Sequence, residues 1–320
     1  MLPISQTIIS HNLPIYYCRD GIHAVFDEFR LDNRLDKAQD FEFIKFQDLT
    51  LIAVEGKNIK FNNTHIIKTP SSPSARFHAD FIHKLKILEA EDRIDKIKAY
   101  LSGSYDLEAI KKIETSSSKS LAMIKILGSN LFVLVFFILP ASLFSNLCKY
   151  IHLNALVICI FLTYLLLLLV ALLTLKKLYP SEKDYRSYTL QSIIFSPINA
   201  IHVLSYLTKD LYVRFNYLAL AAYYMPRNSF KELARKEIFQ IDYFEHQIGR
   251  QDWQEFWRLK KQLLRCLLDQ CEVSLQEVSK PPEKQDQTAI YYCPFCMTEY
   301  RQKRHNCIDC ETALKEFDSD

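Results

Sequence analysis

Glycine is scarce in this chain. Among 320 residues there are only five, at positions 21, 56, 103, 128 and 249, and no two are close together. That scarcity excludes a GxGxxG dinucleotide turn, a GxxxxGK[ST] phosphate loop and a GxSxG nucleophile elbow. Each of these needs glycine to bring backbone against substrate or to turn sharply. HExxH is absent as well. The common sequence-visible routes to nucleotide binding and hydrolysis are closed, and the chain is not expected to be an enzyme. An excess of charge is also lacking: 40 Lys and Arg against 37 Asp and Glu leave +3, too little by itself to argue for nucleic acid. The opening MLPISQTIISHNLPIYYCRD lacks the basic start, apolar core and small-residue cleavage site of a signal peptide. The first 120 residues are therefore expected to stay on the side where they are made.

What the chain does have is two long apolar runs. Residues 126–147 read ILGSNLFVLVFFILPASLFSNL and residues 153–175 read LNALVICIFLTYLLLLLVALLTL, with no charged residue in either. At about 1.5 Å per residue each is long enough, as a helix, to cross a hydrocarbon core of about 30 Å. Helix is the form that satisfies its own backbone in lipid. The connection, Cys148 to His152, is so short that the two helices must be antiparallel neighbours. Lys111, Lys112, Lys119 and Lys125 precede the first run, and Lys176, Lys177, Lys183 and Arg186 follow the second, whereas the loop offers only Lys149. By the positive-inside rule both termini should be cytoplasmic. Pro140 predicts a tolerated kink. Asn130, Asn154, Thr163 and Tyr164 read as interhelical hydrogen-bonding or interface groups, since a transport path would need more spans and an ionisable residue at mid-depth.

Ahead of the runs, FEFIKF (41–46), LTLIAV (49–54), KNIKF (57–61) and THIIKT (64–69) predict strands, with Glu55-Gly56-Lys57 as a hairpin turn. IHAVFDEF (22–29) fits a strand or a short helix. A helix is predicted over 74–101, and a second from Leu107, with ETSSSKS either continuing it to the lipid or breaking it as a joint. Beyond the runs, residues 180–250 are aromatic and proline-interrupted, suited to the interface or to an ordinary helical core. Ser229-x-x-Glu232 reads as a capping box for a helix to about Gln247, stopped by Gly249, and Asp252-x-x-Glu255 starts another. These two suggest an antiparallel αα-hairpin. Residues 275–288, LQEVSKPPEKQDQT, are polar and proline-bearing and read as a linker.

Of nine cysteines, Cys18, Cys148, Cys159, Cys266 and Cys271 are scattered and the other four are clustered. Cys293 and Cys296 form one CxxC, Cys307 and Cys310 a second, with ten residues between the pairs. Each knuckle presents two thiolates to one ion, and two knuckles complete a tetrahedral four-sulfur shell. Such a closed shell leaves no position for water, so the expected Zn²⁺ is structural and supplies folding free energy that about thirty residues could not find in their own core.

This segment resembles the short bacterial and archaeal zinc-ribbon tail, with its pattern of CPxCG, about nine further residues, then CxxCG and a Leu. Cys293-Pro-Phe-Cys296, Cys307-Ile-Asp-Cys310 and Leu314 fall on the pattern. Met297 and Glu311 stand where the usual glycines would be, which predicts strained or reshaped knuckles. The resemblance covers roughly 30 residues and implies a module that binds proteins or nucleic acid, or that only folds. Arg301, Lys303, Arg304 and His305 form a small basic loop between the knuckles, read as solvated rather than phosphate-binding because aromatic interleaving is sparse. His305 is a conceivable substitute ligand, but four cysteines already fill the shell.

Other constellations are weaker. Asp242, Glu245 and His246 on one helix read as surface ion-pairing groups. His78 and His83, five apart, fall on different sides of a helix, while Cys266, Cys271, Trp253 and Trp257 read as packing or anchoring residues. The organisation expected is a mainly α membrane protein: a small α+β N-terminal cytoplasmic domain (1–122), a two-helix transmembrane hairpin (123–178), a helical juxtamembrane region (179–274), a linker (275–288) and a zinc ribbon (289–320). The function expected is a non-catalytic scaffold or adaptor subunit in a bacterial inner membrane, in contact with lipid and protein partners. The alternative is a membrane-bound regulator whose ribbon contacts nucleic acid or responds to zinc or oxidation. A third reading, an enzyme acting on lipid around 180–250, would need a polar constellation that the sequence does not reveal.

Overall fold

The structure is a computed structural model describing residues 15–24, 42–62, 64–69, 72–144, 153–180, 182–196, 199–200, 211, 214–247, 251–294, 296–309 and 312–317. It is mostly helical, with three small sheets. The chain divides into two compact units: Met1–Leu107 together with Arg214–Asp320, and Glu108–Val213.

The first unit begins with two three-stranded antiparallel sheets. One has the order β1 (Ile15–Tyr17), β2 (Gly21–Ala24), β3 (Glu42–Lys45); the other β4 (Ile52–Glu55), β5 (Asn58–Phe61), β6 (His65–Lys68). IHAVFDEF thus resolves at its start into strand; its remainder lies outside the described residues. Gly21 cannot carry a side chain, because a Cβ there would fall 2.2 Å from the Ile44 carbonyl oxygen. Gly56, at φ +60°, forms the two-residue turn with Lys57 between β4 and β5.

Helix α1 (Ser72–Ile87) packs on β4 and β5 through Ala75, Ala79, Ile82 and Leu85, all buried. The single helix predicted over 74–101 is in fact two. Glu89 is extended at ψ 160°, and α2 (Ala90–Ser104) starts after it. Arg93 explains how the break is held: its Nε donates to the Leu85 carbonyl at 2.8 Å, satisfying the last turn of α1.

β1 alternates as a strand must. Tyr17 faces α1 and α2, against Phe81 and Tyr100 with ring centroids 4.9 and 5.7 Å away. Tyr16 points the other way, into α9 (Gln251–Gln270), against Trp253, Phe256 and Trp257 at 5.5, 5.4 and 4.9 Å. The N-terminal strands and the C-terminal helices therefore share one aromatic core. Between them lie α7 (Tyr217–Tyr224), capped by the Asn216 side chain, and α8 (Arg227–Gln247). α8 starts two residues ahead of the expected box, so Ser229 is inside the helix rather than its cap. α8 and α9 form the predicted αα-hairpin; Gly249 lies outside the described residues. The segment read as a linker contains α10 (Leu275–Ser279), started by a Ser274–Glu277 capping box and anchored by buried Val278.

The second unit holds the apolar helices. α3 (Leu107–Val133) runs through ETSSSKS without a joint. The hydroxyls turn back on their own helix, Thr115 to the Lys111 carbonyl at 2.8 Å and Ser117 to that of Ile113 at 2.7 Å. A π-helical turn, Leu134–Ile138, then joins α3 to α4 (Leu139–Phe144). It sits directly before Pro140, whose missing N–H and bulky ring disrupt ordinary α bonding there. The expected loop 148–152 lies outside the described residues. α5 (Leu153–Leu178) follows, then α6 (Lys183–Phe195), packed on α5. By length and composition the helices over Leu107–Ala141 and Asn154–Leu178 can cross a membrane, and only 17% of the most apolar window of each is buried, unlike a soluble core helix.

Candidate metal centre

The C-terminal segment is a three-stranded antiparallel ribbon in the order β8 (Glu299–Tyr300), β7 (Tyr291–Tyr292), β9 (Lys315–Glu316). Among the described residues its own apolar core is Ala289, Tyr292 and Phe317. Two tight turns carry the cysteines. The Cys293 N–H donates to the Thr298 carbonyl at 2.9 Å, and the Cys307 N–H to that of Thr312 at 2.8 Å. Each of these bonds runs from the first cysteine of a pair to the residue five positions on.

Cys293, Cys296 and Cys307 present sulfurs that all lie within 4.8 Å of one another. Cys296 Sγ and Cys307 Sγ are 3.5 Å apart, too far for a disulfide and near the roughly 3.8 Å sulfur–sulfur spacing of a tetrahedral shell with bonds of about 2.3 Å. Three thiols so gathered can hold a metal ion. Cys310, the fourth residue of the predicted set, lies outside the described residues, as does Glu311. Met297 adopts φ +61°, the left-handed conformation that glycine provides in the resembling tails, so the chain keeps the turn at a steric cost.

Donors that spacing alone does not reveal converge on the sulfurs. The Cys296 N–H reaches Cys293 Sγ at 3.4 Å, Tyr300 donates its hydroxyl hydrogen to Cys307 Sγ at 3.2 Å, and Thr298 Oγ1 lies 3.0 Å from Cys296 Sγ. Such donors suit thiolates and orient them. Burial and the neighbouring sulfur push the Tyr300 phenol up to about 12, so it stays a donor at neutral pH. Thr298 and Tyr300 follow the first knuckle by two and four residues, and their place in the hairpin is the signal that could have found them.

The ribbon is seated, not loose. Phe239 of α8 packs against the cysteine cluster together with Tyr300 and Leu314, and the Lys315 ammonium lies 5.7 Å from the centre of the Phe239 ring. Arg301 is tied to Asp286 at 2.7 Å, and Lys303, Arg304 and His305 are exposed. Elsewhere, Asp242 pairs with Lys261 across the αα-hairpin at 2.5 Å and Glu245 with Arg258 at 3.3 Å; the His246 side chain is outside the described set. His78 is buried and His83 exposed, so the two do not meet. Trp253 and Trp257 are core residues, whereas Cys266 is exposed.

A second feature of this unit is a cleft of about 420 Å³, walled by Ile97 and Phe256 with Arg19, Lys98 and Arg258 at its rim against the single acid Glu255. The chain matches no protein-family model, no curated protein and no solved structure.

Proposed function

We propose that the protein is a non-catalytic membrane scaffold or adaptor, with a structural Zn²⁺ held by Cys293, Cys296, Cys307 and Cys310. A closed shell of thiolates, met by N–H and O–H donors, suits zinc. The observation that carries the scaffold reading is the shared core of Tyr16 with Trp253 and Trp257. It joins the two flanks of the apolar hairpin into one folded body, which supports two crossings and termini on the same side. The basic flanks Lys111, Lys112, Lys176 and Lys177 support the cytoplasmic face of a bacterial inner membrane as that side.

A body so anchored offers two surfaces for protein partners. One is the ribbon, where Ile308 between the second pair of cysteines is 64% exposed. The other is the cation-rimmed cleft, suited to a partner segment that is both acidic and apolar. A ribbon contacting nucleic acid has less support, because the basic loop has sparse aromatic interleaving and the acids Asp309 and Glu311 follow it closely.

The test is purification in mild detergent at native expression, with zinc counted per chain and co-purifying proteins identified. A stoichiometric partner that is lost when Cys293 and Cys296 become Ser is the expected result. A partnerless protein carrying one zinc, or turnover of a small molecule by the pure protein, would overturn the scaffold reading.

A further inference from the structure

Resting on the membrane reading above, we propose that α6 is a re-entrant helix: it enters the bilayer from the side of the termini and ends near mid-depth beside α5. The observation is one hydrogen bond. The Tyr164 hydroxyl of α5 donates to the Ile194 carbonyl of α6 at 3.0 Å. From Leu175, where the apolar run ends, back to Tyr164 is about 16 Å of helix. That is about half of a hydrocarbon core of about 30 Å. α6 has 13 residues, so it spans about 20 Å, the length needed to reach from the membrane surface to that level.

The level is lipid, not water. Leu165, Leu166, Leu169, Leu172 and Leu173 of α5 lie between Tyr164 and Lys176 and are 40–57% exposed, an apolar surface that needs hydrocarbon around it. α6 is graded to match. Lys183, Asp184 and Arg186 are confined to its start, and it ends in Ile193, Ile194 and Phe195. Ile193 is buried in the cluster with Leu167, Ala171 and Leu175. On the outer side Tyr188 and Phe195 are 73% and 86% exposed; Gln191, the exposed amide, lies one turn nearer the surface than Phe195. The carbonyls of a helix's last turn have no partner within the helix, and in lipid each must find one. Tyr164 supplies that donor for Ile194.

Parity excludes a third crossing. Residues 1–107 and 214–320 share one compact unit, so the chain between them crosses an even number of times. Among the described residues the two long helices account for both crossings, so α6 is placed entering and leaving by one face. Ala200 and Leu211, further along, belong to the same apolar cluster as Ile193.

The test is depth measurement in the full chain, reconstituted in phosphatidylcholine–phosphatidylglycerol vesicles. A ketone-bearing phenylalanine analogue is placed singly at Lys183, Tyr188, Phe195 or, as reference, Leu169, and coupled to a nitroxide. Collision with oxygen, concentrated in lipid, is compared with collision with a water-soluble nickel chelate. The expected order of depth is 183, then 188, then 195, with 195 as shielded from nickel as 169. A label at 195 that meets nickel as readily as one at 183, while 169 stays shielded, overturns the re-entrant helix and leaves the spans intact. Nickel reaching 169 overturns the membrane reading itself, and the proposal with it.

Discussion

Tyr16 and Trp257 lie with ring centroids 4.9 Å apart, although both apolar helices intervene between them in the chain. Trp257 is 1% exposed. Its replacement by Ala should cost about 3–5 kcal/mol through lost burial and the cavity left behind. Because the core is shared, the damage should reach the N-terminal strands as well as α9. Limited proteolysis of W257A in detergent should therefore show faster cleavage in both 15–24 and 251–270. Cleavage confined to α9 would mean that the two flanks fold independently.

Glu237 is fully buried, and Lys260 holds it at 2.5 Å with its ammonium 4.8 Å from the centre of the Trp257 ring. Tyr217 donates a further hydrogen bond to the same carboxylate. Removing one partner strands a buried charge, so Lys260→Met should destabilise by about 3–5 kcal/mol. The double variant Lys260→Met with Glu237→Gln should recover most of that loss. Thermal melts of the single and double variants provide the comparison, and equal loss in both would show that the charge is not the cause.

Stability should fall with acidification below neutrality through His78. Its ring shares a hydrogen bond with the Tyr17 hydroxyl at 2.6 Å, and burial lowers its pKa from 6.5 to about 4. Between those values the unfolded chain binds the proton and the folded chain does not, so stability rises with pH there. The contribution, at most about 3 kcal/mol, is complete above 6.5 and lost as the pH falls through about 4. Denaturant melts from pH 7 to 4 should show this slope, and His78→Gln should flatten it.

At the metal centre, Met297→Gly should relieve the left-handed backbone at φ +61° and tighten metal retention by about 1 kcal/mol. Competition with a chromophoric chelator measures it; weaker retention would mean that the methionine side chain contributes more than its backbone costs. Removing the metal should expose Tyr292 and Phe317, since these and Ala289 are the ribbon's only apolar core among the described residues.

The features legible in the sequence are those whose cause is local. Residues 126–147 and 153–175 announce helices by composition alone, and CxxC spacing gathers thiols because each knuckle spans only a few residues. Met297 signals a left-handed turn by standing where a glycine is usual. The strands at 41–69 follow from alternation, with a turn at Gly56. The break after Leu88 leaves no mark in the sequence because apolar spacing carries on through it, and Arg93, reaching back to the Leu85 carbonyl, shows where α1 ends. Val278 and the Ser274–Glu277 box were hidden by a polar, proline-bearing surround.

Sequence alone, then, determined the two apolar helices and the gathering of Cys293, Cys296 and Cys307, because contacts within a helix or a tight turn depend on residues close in the chain. Tertiary structure alone decided that Tyr16 meets Trp257, that Lys260 neutralises Glu237, that Phe239 seats the ribbon and that Tyr164 holds the end of α6. Each of these pairings closes a longer loop, and no periodicity or spacing records which of many apolar or charged partners the packed core will select.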